Sequence, residues 1–439
     1  MGQPTSSPSA RPMGLLLLLV GISLAVSVAT VWSVVHGAPG QKLFEMANLV
    51  GPTAKSLLSR GGLSVCTEEM GTPGNPICFH AGRMPMASLV VALGFRLLGD
   101  HPLRVDILKT LLLLLPLEMA IYLAWLRLPR DRLRQLGYAL LLLVPFGMTA
   151  FLADVTNMQV EEGYSYSFLA LAVAVLFFAL RPAAPGSLGY AAVFGVAIDG
   201  VYLAKSSMAP VVAVLVVGYL LLERRAAARI VVLVLALAAP VGWALHQHHA
   251  SGRYSIGTSL DGINLHKANN SAFLAHYPPP PGETIDRYDS DLNRGLHFAD
   301  EWSFNDYHRR AAIAYLGSHP RETLVADTRK LDVLFFSIHK VGSAESTGRK
   351  LIVETAGLLA FRALLWTALA GAVYWIFRPA RGLPDRKLQW LTGAIFVAVV
   401  AACAFPYMVG FAYTRHGSVL IYPAVLMCCR MLEEEQAAI

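Results

Sequence analysis

The feature that most constrains this chain is a series of uncharged apolar runs, each about 20 residues long, which is the length that a helix needs to cross a bilayer. The first run, Met13 to Val35, is longer than the apolar core of a signal peptide and no small-x-small cleavage site follows it, so we expect a retained helix. Only 15% of the 439 residues are charged, against about a quarter in a soluble domain. The sequence therefore predicts an all-α polytopic membrane protein.

Ten of these runs are predicted to span the membrane. They are residues 13–35, 105–126, 136–153, 164–180, 187–204, 208–222, 229–247, 355–377, 388–411 and 418–431. A further apolar segment, 84–98, would reach only about 22 Å as a helix, whereas the hydrocarbon core is about 30 Å thick, and it carries Arg96. We interpret it as a re-entrant or juxtamembrane helix at the outer face.

The arginine-rich loops support this choice of spans. They are residues 127–134, 181–186, 223–229 and 378–387. With ten spans all four loops fall on one side of the membrane, which the positive-inside rule identifies as cytoplasmic. Both termini are then cytoplasmic, and we expect the protein in the inner (plasma) membrane. The net charge of +7 is explained by these loops and does not indicate a nucleic-acid partner.

Two large loops remain on the outer face, one from His36 to about Arg104 and one from His248 to Glu354. The second contains a rigid proline stretch, YPPPPGE, and then a helix–break–helix pattern whose break is at Ser318–Pro320. This pattern predicts a small helical domain over the membrane. The predicted parts of the chain are residues 1–247 with the first loop 36–104, residues 248–354, and residues 355–439.

Two cysteines, Cys66 and Cys78, share the first outer loop. An oxidising compartment favours their pairing, and closing a loop of about a dozen residues would contribute about 2 to 3 kcal/mol. Two unrelated thiols are the alternative. The other cysteines, Cys403, Cys428 and Cys429, lie in predicted spans, where a thiol behaves as a small apolar group. The chain has no CxxC or Cys/His ligand spacing, which argues against a structural zinc site.

Six segments occur in an order that is typical of one superfamily. They are AKSLLSRGGLSVC…GRMPMASLVVALGFRLLGDHPLRVDILKTLLLLL, VEEGYSYSFLALAVAVLFF, FGVAIDGVYLAKSSMAPVV, HQHHASGRYSIGTSLDGINLHKANN, AIAYLGSHPRETL and YTRHGSVLIYPAVLM. Together they resemble the GT-C glycosyltransferases of the protein-mannosyltransferase type, glycosyltransferase family 39, which are relatives of the bacterial lipid A aminoarabinose transferase. Each segment is degenerate alone, and the set identifies the superfamily better than the substrate.

The resemblance implies a GT-C-like fold and transfer of a sugar from a polyprenyl-phosphate donor to an acceptor at the outer face. The acceptor would be an envelope glycolipid, a polysaccharide or a protein, and membrane lipids would surround the site. The lipid-linked sugar is a co-substrate, so no separate cofactor is expected. A divalent metal is not expected either, since lysine and arginine can neutralise the phosphate.

An inverting transfer needs a general base for the acceptor hydroxyl. The family has an acid shortly after its first helix, and the candidate here is Glu45, one or two positions from the family's place. Glu68 and Glu69 are reserve candidates. For each of the three, a solvated surface acid is the alternative.

The leaving phosphate needs positive charge. The resemblance favours Lys205, just beyond span 187–204, with Arg415 as the second candidate and Arg83 as the third. The alternatives are a snorkelling lysine at the interface and, for Arg83, a cap on the re-entrant helix.

Sugar or acceptor hydroxyls need polar partners. The candidates are Asp154, Glu161 and Glu162, assigned to a short outer loop, and Asn269 and Asn270 at the family's G-N position. An ordinary solvated loop is the alternative for the acids. Asp199 is the only acid deep inside a predicted span, where an ionisable group is costly, so it has either a function or a helix partner. His246, His248 and His249 lack a nearby acid that would complete a metal site.

Two other functions remain open. The first is a polysaccharide ligase or polymerase that uses a polyprenyl-diphosphate donor, although that class normally has arginine-rich motifs inside its large loop. The second is a non-catalytic transporter of lipid or sugar, although transporters usually show internal repeats and broken midplane helices, which this sequence lacks.

Overall fold

The computed structural model describes residues 13–36, 50–72, 75–129, 131–148, 161–180, 188–279, 291–338, 341, 348–378 and 386–434. These residues are almost entirely helical, with one β-hairpin. The helices of the first half are α1 (Met13–His36), α2 (Val50–Arg60), α3 (Met86–Leu98), α4 (Pro102–Trp125), α5 (Arg132–Met148), α6 (Glu161–Ala174, continued by a π-helical turn over Val175–Ala179) and α7 (Leu188–Ala204). The hairpin strands are β1 (Val65–Thr72) and β2 (Asn75–Phe79).

The second half follows the same pattern of helices with short connections. Its helices are α8 (Ala209–Leu222), α9 (Ala226–Ser251), α10 (Asp261–Ala268), α11 (Phe273–His276), α12 (Glu301–Ser318), α13 (Pro320–Phe335), α14 (Gly348–Phe377), α15 (Arg386–Val409), α16 (Thr414–Ser418) and α17 (Ile421–Glu434). The predicted helix–break–helix pattern is confirmed, because α12 and α13 meet at His319.

Within the described residues, five helices are long and apolar enough to cross a membrane. They are Leu103–Trp125, Glu161–Ala179, Ala226–Ser251, Leu351–Phe377 and Arg386–Val409. Shorter apolar helices are Leu17–Ala29, Met86–Leu98, Leu188–Ala204 and Ser206–Leu222. The chain is thus an all-α membrane protein. Each of the ten predicted spans overlaps a helix, but within the described residues five helices are both long and apolar enough to cross, so the structure does not support the count of ten.

Helix α6 is the most buried of the five candidate spans, and it carries the first residues of the site. From Glu162 to Ala174 every residue except Phe168 is buried. Its neighbour α7 approaches closely because Gly200 has no side chain: a Cβ there would lie 2.5 Å from the Phe168 ring. This close packing brings the end of α7 toward the start of α6.

Residues 252–279 and 291–338, which contain α10 to α13, are called the polar domain below. The polar domain packs on the β-hairpin through Phe79 and Phe304, whose rings meet edge to face at 5.7 Å. It also packs on the C-terminal end of α15. There the Lys330 ammonium donates to Met408 O at 2.7 Å. These contacts bring the hairpin, the polar domain and the connection from α15 to α17 together at one end of the helix bundle.

The hairpin was not predicted from the sequence. In its antiparallel register Cys66 lies opposite Cys78. The two form the predicted disulfide, which ties β1 to β2. Cys403, Cys428 and Cys429 are free and buried, as expected for thiols in apolar helices.

The short helix α16 is held from two sides. The backbone of Val341 donates to the Thr414 hydroxyl at 2.8 Å and accepts from the Thr414 N–H at 3.3 Å. Gly417 lies against the end of α13, where a Cβ would come 2.6 Å from Leu334 O. Only glycine fits this contact without a shift of the backbone, and it fixes the position of the two residues before it, Arg415 and His416.

Candidate functional site

A group of charged side chains from three separate parts of the chain meets at the polar-domain end of the bundle. We call Glu162, Lys205, Arg415 and His416 the charge cluster. The Glu162 Oε1 atom accepts a hydrogen bond from Lys205 Nζ at 2.7 Å. The same oxygen lies 3.4 Å from Arg415 Nε and 3.7 Å from His416 Nε2. One carboxylate oxygen therefore faces two cations and an imidazole.

The cluster is largely shielded from solvent. The side chains of Glu162 and Lys205 are 6% and 15% exposed, and that of Arg415 is 26% exposed. A buried charge is costly unless it is paired, so each member depends on the others. Burial alone would lower the pKa of Lys205, but the Glu162 carboxylate outweighs it and raises that pKa above the ordinary lysine value.

His416 faces the cluster as a neutral ring. Burial, together with the charges of Lys205 and Arg415, holds the pKa of His416 well below its ordinary value. The Tyr413 backbone N–H donates to its Nδ1 at 3.2 Å, so the proton of the neutral ring is on Nε2, the atom that faces Glu162. The imidazole thus offers a donor without adding a charge.

Aromatic rings support the two cations. The Tyr407 ring stacks on His416 with its centroid 4.2 Å away, and Lys205 Nζ lies 5.5 Å from the same Tyr407 ring. The Arg415 guanidinium lies 4.7 Å from the centroid of the Tyr413 ring. Contacts of this kind attract a cation and limit where it can move.

A second ion pair lies at the edge of the cluster. Arg83 Nη1 is 3.4 Å from both carboxylate oxygens of Glu161, the residue before Glu162. Arg83 is about half exposed, whereas Glu161 is 13% exposed. The pair places a third cation on the more open side of the cluster.

The chain before Arg83 is gripped by an arrangement that we call the peptide clamp, made of Gln247, Ser259 and Glu301 around residues 80 and 81. Glu301 Oε2 accepts from the Ala81 N–H at 3.0 Å and from the Ser259 hydroxyl at 2.6 Å. Ala81 O accepts from the Ser259 N–H at 2.8 Å, and the Gln247 amide donates to the carbonyl before Ala81 at 3.4 Å. The clamp joins α9, α12 and the first loop.

Lys205 and Arg415 were predicted as partners of the phosphate, and Glu162, which was predicted as a sugar or acceptor partner, brings them together. His416 and the clamp were not predicted. Glu301 was missed, because in sequence it resembles any acid in the first turn of a helix, here after the N-cap Asp300.

The prediction that Glu161 and Glu162 lie on a loop is wrong, since both begin helix α6. Acids are stabilised in the first turn by the helix dipole, and this signal could have found them. Asp154 and Glu45 lie outside the described residues. Glu68 is exposed on β1, and the side chain of Glu69 is outside the described part.

Asn269 and Asn270 were predicted to shape a sugar pocket, but both are buried and their amides bind backbone. Asn269 Nδ2 donates to Leu265 O and Val409 O at 2.8 and 2.7 Å. Asn270 Nδ2 donates to His266 O at 2.8 Å. These contacts close the end of α10 and do not support a role in sugar binding.

The remaining polar candidates lie on α7 and α9. Asp199 is partly buried within α7. The ring of His246 stacks on Trp243, and that of His248 stacks on Tyr254. Over the described ranges, no group of three or more His, Cys, Asp or Glu side chains is arranged to hold a metal ion.

The functional interpretation rests on this geometry and on the resemblance alone. No protein-family model matches the chain, and no curated protein sequence matches it significantly.

Proposed function

We propose that the protein is a membrane glycosyltransferase that moves a sugar from a polyprenyl-phosphate-linked donor to an acceptor at the outer face of the inner membrane. The observation that carries the proposal is the charge cluster, because Lys205 and Arg415 are partly buried cations that converge on one anion. Cations held in a shielded site stabilise the negative charge that develops on a departing phosphate far better than solvated ones do.

In the proposed reaction Lys205 and Arg415 bind the phosphate of the donor, and Arg83 assists from the open side. The acceptor loses its proton to a carboxylate, for which Glu45 remains the proposed base on the strength of the resemblance. The sugar leaves the phosphate and bonds to the acceptor oxygen, so the products are the glycosylated acceptor and polyprenyl phosphate.

The proposed topology follows from the arginine-rich loops. About ten helices cross the membrane, some of them shorter than a full span, with both termini cytoplasmic and the charge cluster on the outer side. Helices of this kind can cross where they are surrounded by other helices, since irregular or short segments are tolerated only when protein covers them.

The test is mass analysis of envelope glycolipids, polysaccharide and glycoprotein in a deletion strain that carries the wild-type gene, Lys205→Gln or Lys55→Gln. Lys55 is the matched control, because its ion pair with Asp100 is well exposed. We expect one sugar to be missing from the deletion strain, restored by wild type and Lys55→Gln, but not by Lys205→Gln expressed at the same level.

Three results would count against the proposal. An unchanged glycan profile in the deletion strain would argue for a transporter or another non-catalytic role. Accumulation of a diphosphate-linked oligosaccharide would indicate a ligase or polymerase. Restoration of the missing sugar by Lys205→Gln would show that the reaction does not need the charge cluster.

A further inference from the structure

The charge cluster already holds an anion of its own. Lys205, Arg415 and His416 converge on one oxygen, Glu162 Oε1, which lies 2.7 Å from Lys205 Nζ, 3.4 Å from Arg415 Nε and 3.7 Å from His416 Nε2. A phosphate oxygen bound to the same groups would need the same position. The carboxylate and a phosphate cannot both occupy it, because two anions at van der Waals contact repel strongly in a shielded site.

We infer that Glu162 is an internal stand-in for the lipid phosphate: its carboxylate pairs with Lys205 and Arg415 until the donor binds and displaces it. This inference rests on the proposed function, since it concerns the same cations. It adds a competition step: donor binding replaces one ion pair with another, and the Glu162 carboxylate is released from its cations only after a phosphate has arrived.

The arrangement of the two acidic residues makes the exchange physically reasonable. Glu162 is in the first turn of α6, where the helix dipole stabilises a carboxylate even when it has lost a cation. Glu161, one position earlier, keeps Arg83 at the edge of the cluster.

The stand-in has a consequence for selectivity. A soluble anion such as inorganic phosphate gains only the contacts that Glu162 already makes, so it displaces the carboxylate poorly. A lipid phosphate is instead concentrated in the bilayer by its apolar chain, whose removal from water contributes about 0.8 kcal/mol for each CH₂ group. It therefore reaches the cluster at a much higher local concentration than a soluble anion, so the cluster favours an anion that is attached to a lipid.

The inference predicts that loss of the carboxylate strengthens anion binding. Full-length protein in nanodiscs is titrated with farnesyl phosphate and, separately, with inorganic phosphate. The variants are Glu162→Gln, Glu162→Asp, Lys205→Gln and the control Asp306→Asn. Asp306 pairs with Arg253 elsewhere in the polar domain, so its loss changes the net charge by the same amount.

We expect Glu162→Gln to bind farnesyl phosphate about tenfold more tightly than wild type, equivalent to about 1.4 kcal/mol. It should also show measurable affinity for inorganic phosphate. Glu162→Asp keeps the charge but shortens the side chain, so it should gain less. Asp306→Asn should change the affinity by less than about twofold, since partly exposed charges at a distance are screened.

The outcomes separate this inference from the proposed function. If wild type binds farnesyl phosphate, Lys205→Gln loses that binding and neither Glu162 variant gains affinity, the stand-in is disproved while the phosphate site stands. If wild type and Lys205→Gln bind alike, the proposed function fails as well. Should Glu162→Gln not fold, the folded Glu162→Asp variant decides: an unchanged or weaker affinity overturns the inference.

Discussion

The charge cluster and the peptide clamp each centre on a buried carboxylate that joins distant parts of the chain, but their partners differ. Glu162 faces two ionised groups, Lys205 and Arg415. Within the described residues, Glu301 Oε2 accepts from neutral donors, the Ala81 N–H and the Ser259 hydroxyl. Cations attract any anion that reaches them, whereas these two donors carry no net charge. The comparison indicates that the first site can exchange its anion and that the second is structural.

We expect the greatest loss of sugar transfer from substitution of Lys205 in the charge cluster. Lys205→Gln should lower sugar transfer by at least about 100-fold, because a buried cation at the phosphate is lost. Lys205→Arg keeps the charge and should retain part of the activity. Transfer is measured in proteoliposomes with purified variants, and thermal unfolding in the same preparation shows whether the fold survives. Full activity in folded Lys205→Gln would show that the charge cluster, like the clamp, has a structural role and no part in the reaction.

Substitution of Glu301 in the peptide clamp should lower stability instead of activity. Glu301→Ala leaves the Ala81 N–H and the Ser259 hydroxyl without their buried partner, at about 1 to 3 kcal/mol for each unsatisfied group. We expect a lower melting temperature, with activity per folded molecule little changed. The melting temperature and the specific activity of the folded fraction are measured together. A stable variant with lost activity would contradict the structural role.

A neutral network in the polar domain should also respond to pH, which sharpens the contrast with the paired charges. His308 is fully buried, and its Nδ1 lies 2.9 Å from His266 Nδ1. Burial, then His266 and Lys267, lowers the pKa of His308 to about 4. An unfolded histidine takes up its proton near pH 6.5. Stability from the neutral pair is therefore complete above about pH 6.5 and is lost as the pH falls toward 4.

The expected loss over that range is about 3 kcal/mol in the free energy of unfolding. Thermal unfolding between pH 7 and 4 measures it, and His308→Gln should flatten the curve over the same interval. An identical pH dependence in the variant would show that other groups set the acid limit of the fold.

Substitution of Arg83, at the edge of the charge cluster, should have a smaller effect on transfer. Arg83→Gln should reduce transfer by less than about tenfold, because a half-exposed cation is worth about 1 kcal/mol or less. Rates measured at low and high salt should converge for wild type and variant, since salt screens Arg83 far more than Lys205. If Arg83→Gln lowers transfer as much as Lys205→Gln does, Arg83 contributes as much as Lys205 to phosphate binding.

Some of these features could be predicted from the sequence and others could not. The positions of the apolar helices and the break at Ser318–Pro320 were predictable, because both depend on local sequence. Lys205 and Arg415 were predicted because they lie in segments that resemble the glycosyltransferase family. The strands at Cys66 and Cys78 were missed, since a short polar segment carries little apolar alternation. Glu301 was missed because its partner, Ala81, is 220 residues away, and no local pattern reports such a contact.

The exchange of anions can be observed directly in an experimental structure of the full-length protein in a lipid nanodisc with farnesyl phosphate bound. We expect the phosphate to contact Lys205 and Arg415, with the Glu162 carboxylate moved away from both. A phosphate bound elsewhere, with the pair between Glu162 and Lys205 intact, would contradict this expectation.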